Sequence, residues 1–302
     1  MTNQHLGFRA MSADVNVTVV GGDDGALAYA HNRIAQLEQR WSRSLRTSEI
    51  SALNNANGDP VAVSPDTIAA VRSACTAWTY TLGYFDPTIH ASMLRSGHRD
   101  TGDAARNQNL DAGDAPIAGA GCAGVMTDAT SGEVQFPRGV RFDLGGIAKG
   151  LAADLVATEL IDRGARGARV NIGGSARVVG EPADGDRWQI EIEDPRTDQP
   201  LTTIELIGGG VATSTTLRRR WRLGGRAVHD LVHPTAGGPA GTSVVGVCVI
   251  ASTAAWADAL SRIPFVAPGR TDLFGPTSAL IMHGNGDTAS IGRVDHAGLV
   301  PV

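Results

Sequence analysis

Four residues whose types could take part in ligand binding stand close together in RFDLGGIAKGLAADL, residues 141–155, which we call the glycine segment. Asp143 is followed by Gly145 and Gly146, then by Lys149, and an apolar helical pattern comes next. Glycines at a helix start let the backbone approach a ligand closely, and the N–H groups there attract anions. The segment matches neither GxGxxG nor the phosphate loop that ends in GK[ST]. From this segment alone, a helix cap, a tight turn and a solvated lysine explain the residues equally well.

Other segments add residue types that could act with the glycine segment. GYFDPT, residues 83–88, places an aromatic pair beside an aspartate in a loop, and ADAL, residues 257–260, places Asp258 near a helix start. VHDLVHPTAG, residues 228–237, which we call the histidine segment, holds two of the eight histidines. The arginine run that begins at Arg218 is explained either as a solvated strand face or as a means of steering phosphate.

Apolar periodicity predicts the elements that carry these segments. Strands are predicted at 15–20, 170–172, 188–192, 203–207, 244–251 and 279–283, and a hairpin is predicted from 133–136 and 140–144. Helices are predicted from Leu27 to Trp41, from Ser64-Pro65 onward, after the glycine segment as far as about Gly164, and from Thr253 onward. The elements do not alternate strictly, which favours an α+β fold with a mixed sheet and packed helices over a doubly wound sheet.

Composition excludes several classes of protein. The chain has 302 residues, 42% hydrophobic and 19% charged, and a net charge of −5, so binding to nucleic acid is not expected. The three scattered cysteines predict neither a disulfide framework nor a zinc site. No stretch is long and apolar enough to insert in a membrane, and the N-terminus shows no signal peptide, so we expect a cytoplasmic protein.

Taken in order, these segments resemble the ApbE family of flavin transferases. The resemblance runs from Met11 to about Val266, and its most specific part is DLGGIAKG with the nearby Asp154. WSRSLRTSEISALN, residues 41–54, also resembles the family's segment after the first helix. The resemblance implies a T-fold-like α+β architecture. It also implies one domain over residues 1–302, with a loop-rich insertion at about 96–124.

The resemblance also implies a reaction and its partners. Such enzymes cleave the pyrophosphate of FAD, attach FMN to a Thr or Ser hydroxyl of an acceptor protein, and release AMP. The implied flavin contacts are Met11, Tyr84, Phe85, Asp86, Asp143, Lys149 and the backbone near Leu231. The implied Mg²⁺ ligands are the Gly146 carbonyl and the Asp258 carboxylate, which suits an ion that prefers oxygen ligands.

The chain departs from the family pattern at two places. Arg262 stands where the family often has a metal-binding Thr, so it either contacts phosphate or weakens metal binding. The family's HHIIDPRTG is HDLVHPTAG here, which leaves His229, Asp230 and His233 as candidate bases, although His233 is explained equally well as a turn residue. A flavin-binding protein without transfer activity and an FAD pyrophosphatase are therefore the alternatives to a transferase.

Overall fold

The computed structural model describes residues 3–97, 118–223 and 226–292. Within these residues the chain forms fifteen strands. In chain order they are β1 (Asn3–Ala10), β2 (Ala13–Val20), β3 (Val61–Ala62), β4 (Met126–Asp128), β5 (Glu133–Gln135), β6 (Gly167–Ile172), β7 (Ser175–Gly180), β8 (Trp188–Asp194), β9 (Gln199–Leu206), β10 (Gly209–Thr215), β11 (Arg220–Leu223), β12 (Arg226–His229), β13 (Val244–Ala251), β14 (Ser278–His283) and β15 (Thr288–Ile291).

Among the described residues, eight of these strands form the main sheet, in the order β1-β2-β6-β7-β10-β13-β14-β15. Neighbouring strands in it run antiparallel. Smaller sheets are formed by β3-β5-β4, by β8-β9 and by β11-β12. Antiparallel neighbours need no helical crossover, so the helices can collect on one face of the sheet.

The described residues form seven α-helices. They are α1 (Ala26–Trp41), α2 (Glu49–Asn55), α3 (Pro65–Tyr80), α4 (His90–Arg95), α5 (Ala148–Asp162), α6 (Ala254–Leu260) and α7 (Ile263–Val266), followed by a 3-10 turn at Thr271–Phe274. Ser64 caps α3 by accepting a hydrogen bond from the Thr67 N–H, and Thr253 caps α6 by accepting one from the Trp256 N–H. A cap of this kind stabilises a helix by about 1 kcal/mol.

The two faces of the main sheet bury different elements. Val17 and Val249 belong to the large core that also contains apolar residues of α1, α5 and α6. Val178 and Cys248 point to the other face and pack with Ile190 of the β8–β9 hairpin. Adjacent residues of one strand lie on opposite faces, so burial of both Cys248 and Val249 shows that β13 is covered on both sides.

Most of the predicted elements are confirmed, as is the α+β class. The strand predicted at 244–251 is β13, and the helix predicted after the glycine segment is α5. Sequence reasoning missed two central strands of the main sheet, β7 and β10, and its edge strands β1 and β15. It also missed the short elements β3, β4, β11, β12, α2, α4 and α7. Much of the predicted insertion at about 96–124 lies outside the described residues, and the single domain stays a prediction. No helix in the described part of the chain has the length and apolar character needed to span a membrane.

The predicted hairpin of 133–136 with 140–144 is wrong. Residues 133–135 form β5, but β5 pairs with β3 and β4, and residues 140–144 form no strand. The Asn54 side chain instead donates to the Phe142 carbonyl at 2.9 Å and accepts from the Phe142 N–H at 2.7 Å. The Asp143 N–H donates to the Pro87 carbonyl at 2.7 Å. These bonds satisfy the backbone without a strand partner and hold the segment beside the site.

Candidate active site

The glycine segment forms a tight turn that leads into α5. The Gly145 N–H donates to Asp143 Oδ1 at 2.8 Å, and the Ala148 N–H donates to the Leu144 carbonyl at 2.8 Å. Further along, α5 lies directly against the start of α6. A Cβ at Gly150 would lie 2.3 Å from the Ala254 carbonyl oxygen, so this approach requires glycine. The close contact places Asp258 of α6 next to the glycine segment, where its Oδ2 accepts from the Gly150 N–H at 3.4 Å.

Asp143 is buried and forms an ion pair with Arg43, which follows the end of α1. Burial opposes ionisation of Asp143, but the charge and hydrogen bonding of Arg43 outweigh it and lower the pKa of this carboxyl. The structure thus pairs Asp143 rather than leaving it as a solvated cap. Its carboxylate holds the Gly145 turn and the end of α1 together.

The loop 83–88 lies against the glycine segment. Asp86 is buried, and its Oδ1 accepts from the Thr88 N–H at 2.8 Å and from the Thr88 hydroxyl at 2.6 Å. Burial raises the pKa of Asp86, although these hydrogen bonds oppose the shift. Because the Asp86 carboxylate fixes its own loop, the aromatic rings of Tyr84 and Phe85 are presented to the cleft from a defined backbone.

The β1–β2 hairpin turns through Met11 and Ser12 next to the site. Both have positive φ, 52° and 57°, although neither is glycine. A two-residue hairpin turn of type I′ needs φ above zero at both central positions, and residues with side chains adopt this conformation at a cost in energy. Met11 reaches the cleft from this turn beside Lys149.

These segments enclose one cleft with three adjoining compartments. The first lies between loop 83–88 and the glycine segment, the second extends along the main sheet with a volume of about 480 Å³, and the third lies under the Met11 turn. Arg219, which follows β10, lines all three. The predicted residues that line the cleft are Met11, Tyr84, Phe85, Asp86, Asp143, Gly146, Lys149, Asp230, Leu231 and Asp258.

Lys149 lies at the meeting point of charged side chains. Burial, the largest effect, lowers its pKa; Arg219 and Arg262 lower it further, and Asp258 and Asp230 oppose the shift. The Lys149 ammonium lies 3.4 Å from the Gly145 carbonyl oxygen. Lys149, Arg219 and Arg262 thus lie together at this end of the cleft beside Asp230 and Asp258, which places cationic groups where a phosphate could bind.

The histidine segment contributes to the cleft through Asp230 and Leu231. Asp230 is buried, lines two compartments, and its Oδ2 lies 3.4 Å from Arg219 Nη1. His229 and His233 do not line the three compartments described here. His229 Nε2 lies 3.2 Å from the Ala240 carbonyl oxygen, and burial lowers the pKa of its ring. His233 Nδ1 accepts from the Ala236 N–H at 3.3 Å.

The residues around Gly146 and Asp258 fit a divalent cation poorly. The guanidinium of Arg262 lies against Gly146, where a Cβ would be 2.5 Å from Nε and 2.9 Å from Cζ. Its Nη2 donates to the neighbouring Gly145 carbonyl at 3.1 Å. In the described part of the chain no group of three or more His, Cys, Asp or Glu could hold a metal ion. A resident positive charge thus already lies beside the predicted Gly146 ligand.

Sequence reasoning did not single out Arg43, although it lies within residues 41–54, which carry part of the resemblance. Its partner Asp143 is a hundred positions away, so no local spacing could reveal the pair. For Arg219, the run of arginines was the available signal, and it left two explanations open. Arg219 lines all three compartments, whereas Arg218 of the same run lines only the compartment along the sheet and pairs with Glu193 and Asp198.

Comparisons with known proteins agree with this geometry. Residues 11–273 match the model of the ApbE family. The chain is 29% identical over 235 residues to an FAD:protein FMN transferase of Vibrio cholerae serotype O1, covering 76% of this chain and 69% of the relative. It is 35% identical over 130 residues to an FAD:protein FMN transferase of Haemophilus influenzae, covering 42% of this chain and 38% of the relative.

Solved structures give the same result for the fold. The ApbE protein of Thermotoga maritima superposes with a TM-score of 0.83 at 25% identity, covering 97% of this chain and 100% of that one. The flavin transferase ApbE of Vibrio cholerae superposes with a TM-score of 0.78 at 22% identity, covering 96% and 97% of the two chains. The match of the family model over most of the chain, together with this fold, shows that the protein belongs to the ApbE family.

Proposed function

We propose that this protein is an FAD:protein FMN transferase that attaches FMN to a Thr or Ser hydroxyl of an acceptor protein. The observation that carries the proposal is the convergence of four separated segments on one cleft. The Met11 turn, loop 83–88, the glycine segment and the Asp230–Leu231 pair all line it. The names of the relatives support the same activity.

The cleft offers suitable side chains for both the flavin ring and the pyrophosphate of FAD. Tyr84 and Phe85 offer aromatic surface for a flavin ring, and Leu231 adds a buried apolar contact. Lys149, Arg219 and Arg262 offer positive charge for the pyrophosphate. Asp143 is held ionised by Arg43, so it can only accept hydrogen bonds, and it orients the turn rather than exchanging a proton.

The transfer step requires a base for the acceptor hydroxyl. The hydroxyl oxygen forms a bond to the FMN phosphorus, the bond from that phosphorus to the bridging oxygen breaks, and AMP leaves with the electron pair. We assign the hydroxyl proton to Asp230, because its carboxylate lines the cleft beside Arg219. His229 and His233 stay predicted alternatives, but their ring nitrogens contact the Ala240 carbonyl and the Ala236 N–H.

Mg²⁺ and a cytoplasmic location stay predictions. The ligands predicted for Mg²⁺, the Gly146 carbonyl and Asp258, lie among three cationic side chains, so the proposal derives no step through the ion. A bound Mg²⁺ would neutralise charge on the pyrophosphate oxygens.

Incubation with FAD and an FMN-acceptor domain tests the function. We expect flavin fluorescence to remain on the acceptor after denaturation, with one AMP released for each flavin attached. Release of free FMN and AMP without labelled acceptor would indicate a pyrophosphatase. Unchanged FAD would indicate a flavin-binding protein, and either result would overturn the proposed transfer.

A further inference from the structure

We propose that the guanidinium of Arg262, rather than a divalent metal ion, is the cation that binds the pyrophosphate in this protein. The inference rests on the proposed function, because it takes FAD as the ligand. It predicts that FAD binds with the same affinity whether or not Mg²⁺ is present.

The Arg262 side chain lies beside the residues predicted to bind a metal ion. It extends from the junction of α6 and α7 to the glycine segment, where Nη2 donates to the Gly145 carbonyl at 3.1 Å. Nε and Cζ lie directly over Gly146, at a place where even a Cβ on that residue would collide. The guanidinium thus lies beside the carbonyl that would have to bind a metal.

The Arg262 guanidinium also has a donor without a hydrogen-bond partner among the described residues. Nε of Arg262 is buried and has no hydrogen-bond partner among the described residues. Leaving a buried charged donor without a partner is costly, so such a group points to a ligand that completes it. The side chain also lines both the compartment beside Tyr84 and the large compartment along the sheet. An anion lying between these two compartments would meet the guanidinium.

The charged side chains at this end of the cleft favour an anion over a metal ion. Lys149, Arg219 and Arg262 carry three positive charges around the two carboxylates of Asp230 and Asp258. A divalent ion would have to enter beside these three cationic side chains. A pyrophosphate would instead find that charge in place, and the planar fork of an arginine matches two phosphate oxygens at once. Arginine also stays protonated at any working pH, so this cation is permanent.

The test compares FAD affinity, measured by quenching of flavin fluorescence, in EDTA and in excess Mg²⁺. For the unaltered protein we expect the two dissociation constants to agree within about twofold. Arg262→Thr should weaken FAD binding in EDTA on the order of 10- to 100-fold, the effect of losing hydrogen bonds to a charged group. Arg262→Lys keeps the charge without the planar fork of donors, so its FAD affinity in EDTA should lie between those of the unaltered protein and Arg262→Thr.

Arg163→Thr is the matched control, because Arg163 lies at the far end of α5 and contacts Tyr29. It should leave FAD affinity unchanged. The inference is overturned if the unaltered protein loses FAD affinity tenfold or more in EDTA, a result that needs no variant to fold. It is also overturned if Arg262→Thr binds FAD in EDTA as tightly as the unaltered protein. Absence of FAD binding both in EDTA and in Mg²⁺ would overturn the proposed function itself, and the inference with it.

Discussion

The glycine segment and the histidine segment both line the cleft, but they differ in how their predicted residues are used. In the glycine segment, Asp143, Gly146 and Lys149 all reach the cleft. In the histidine segment, Asp230 reaches it, while His229 and His233 bind backbone groups of neighbouring loops. The residue type most often linked to proton transfer is thus the one that lies outside the cleft.

The difference follows from what fixes each side chain. Tight turns and helix starts depend on residues a few positions apart, so Asp143 can bind the Gly145 N–H whatever the rest of the chain does. The direction of a side chain in a loop after a strand depends on distant contacts instead. His229 is positioned by Ala240, and Asp230 by Arg219, eleven residues away on the other side of the β11–β12 hairpin.

The largest effect that would separate the three candidate bases is expected at Asp230. Asp230→Asn removes the carboxylate that we assign as proton acceptor and should lower the transfer rate by about 10²- to 10⁴-fold. FAD affinity should be unchanged or slightly tighter, because the substitution removes a negative charge from the site that binds the pyrophosphate. Single-turnover transfer at saturating FAD and acceptor measures the first effect, and fluorescence titration measures the second. A rate within about fivefold of the unaltered protein, with a large loss in His229→Gln, would move the base to His229.

The glycine segment should respond through stability, and Asp154 at its helical end gives a pH-dependent case. Its carboxylate accepts hydrogen bonds from the Ala254 and Ala255 N–H groups, each at 2.8 Å, and so caps α6. Burial is the largest cause that raises the pKa of Asp154, to about 6, although these bonds oppose it. In the unfolded chain the group titrates near pH 4, so unfolding releases its proton between about pH 4 and 6. Stability contributed by the protonated form is present below pH 4 and lost as pH rises through about 6.

Asp154→Asn should remove this pH dependence. The free energy of unfolding of the unaltered protein, relative to the variant, should fall by about 2–3 kcal/mol between pH 4 and pH 7. Urea denaturation of both proteins at unit steps of pH measures the difference. If the free energies of unfolding of the two proteins changed in parallel with pH over that range, the pKa of Asp154 would not be raised by its burial at the α6 cap.

The sequence was sufficient for elements with strong local signals and insufficient where partners are distant. Ser64-Pro65 marks the start of α3, and the apolar run 244–251 marks β13, because caps and burial patterns are local. The failed hairpin shows the limit: residues 140–144 alternate like a strand, but Asn54 takes the backbone bonds that a strand would need. Arg43 was missed for the same reason, since its ion-pair partner Asp143 is distant in the sequence.

The smallest effect is expected at His233, and it tests the comparison most directly. His233 is half-buried in a turn in which its N–H donates to the Gly238 carbonyl and its carbonyl accepts from the Gly237 N–H, both at 2.8 Å. Its ring adds one bond, from the Ala236 N–H. His233→Ala should therefore cost about 0.5–1 kcal/mol of stability and leave the transfer rate within about threefold. His233→Asn, whose side-chain oxygen can accept the same N–H, should recover most of the stability. A hundredfold loss of rate in both variants, with normal folding, would show that the His233 ring accepts the proton of the acceptor hydroxyl. The histidine segment would then use its histidine in the cleft, as the glycine segment uses its predicted residues.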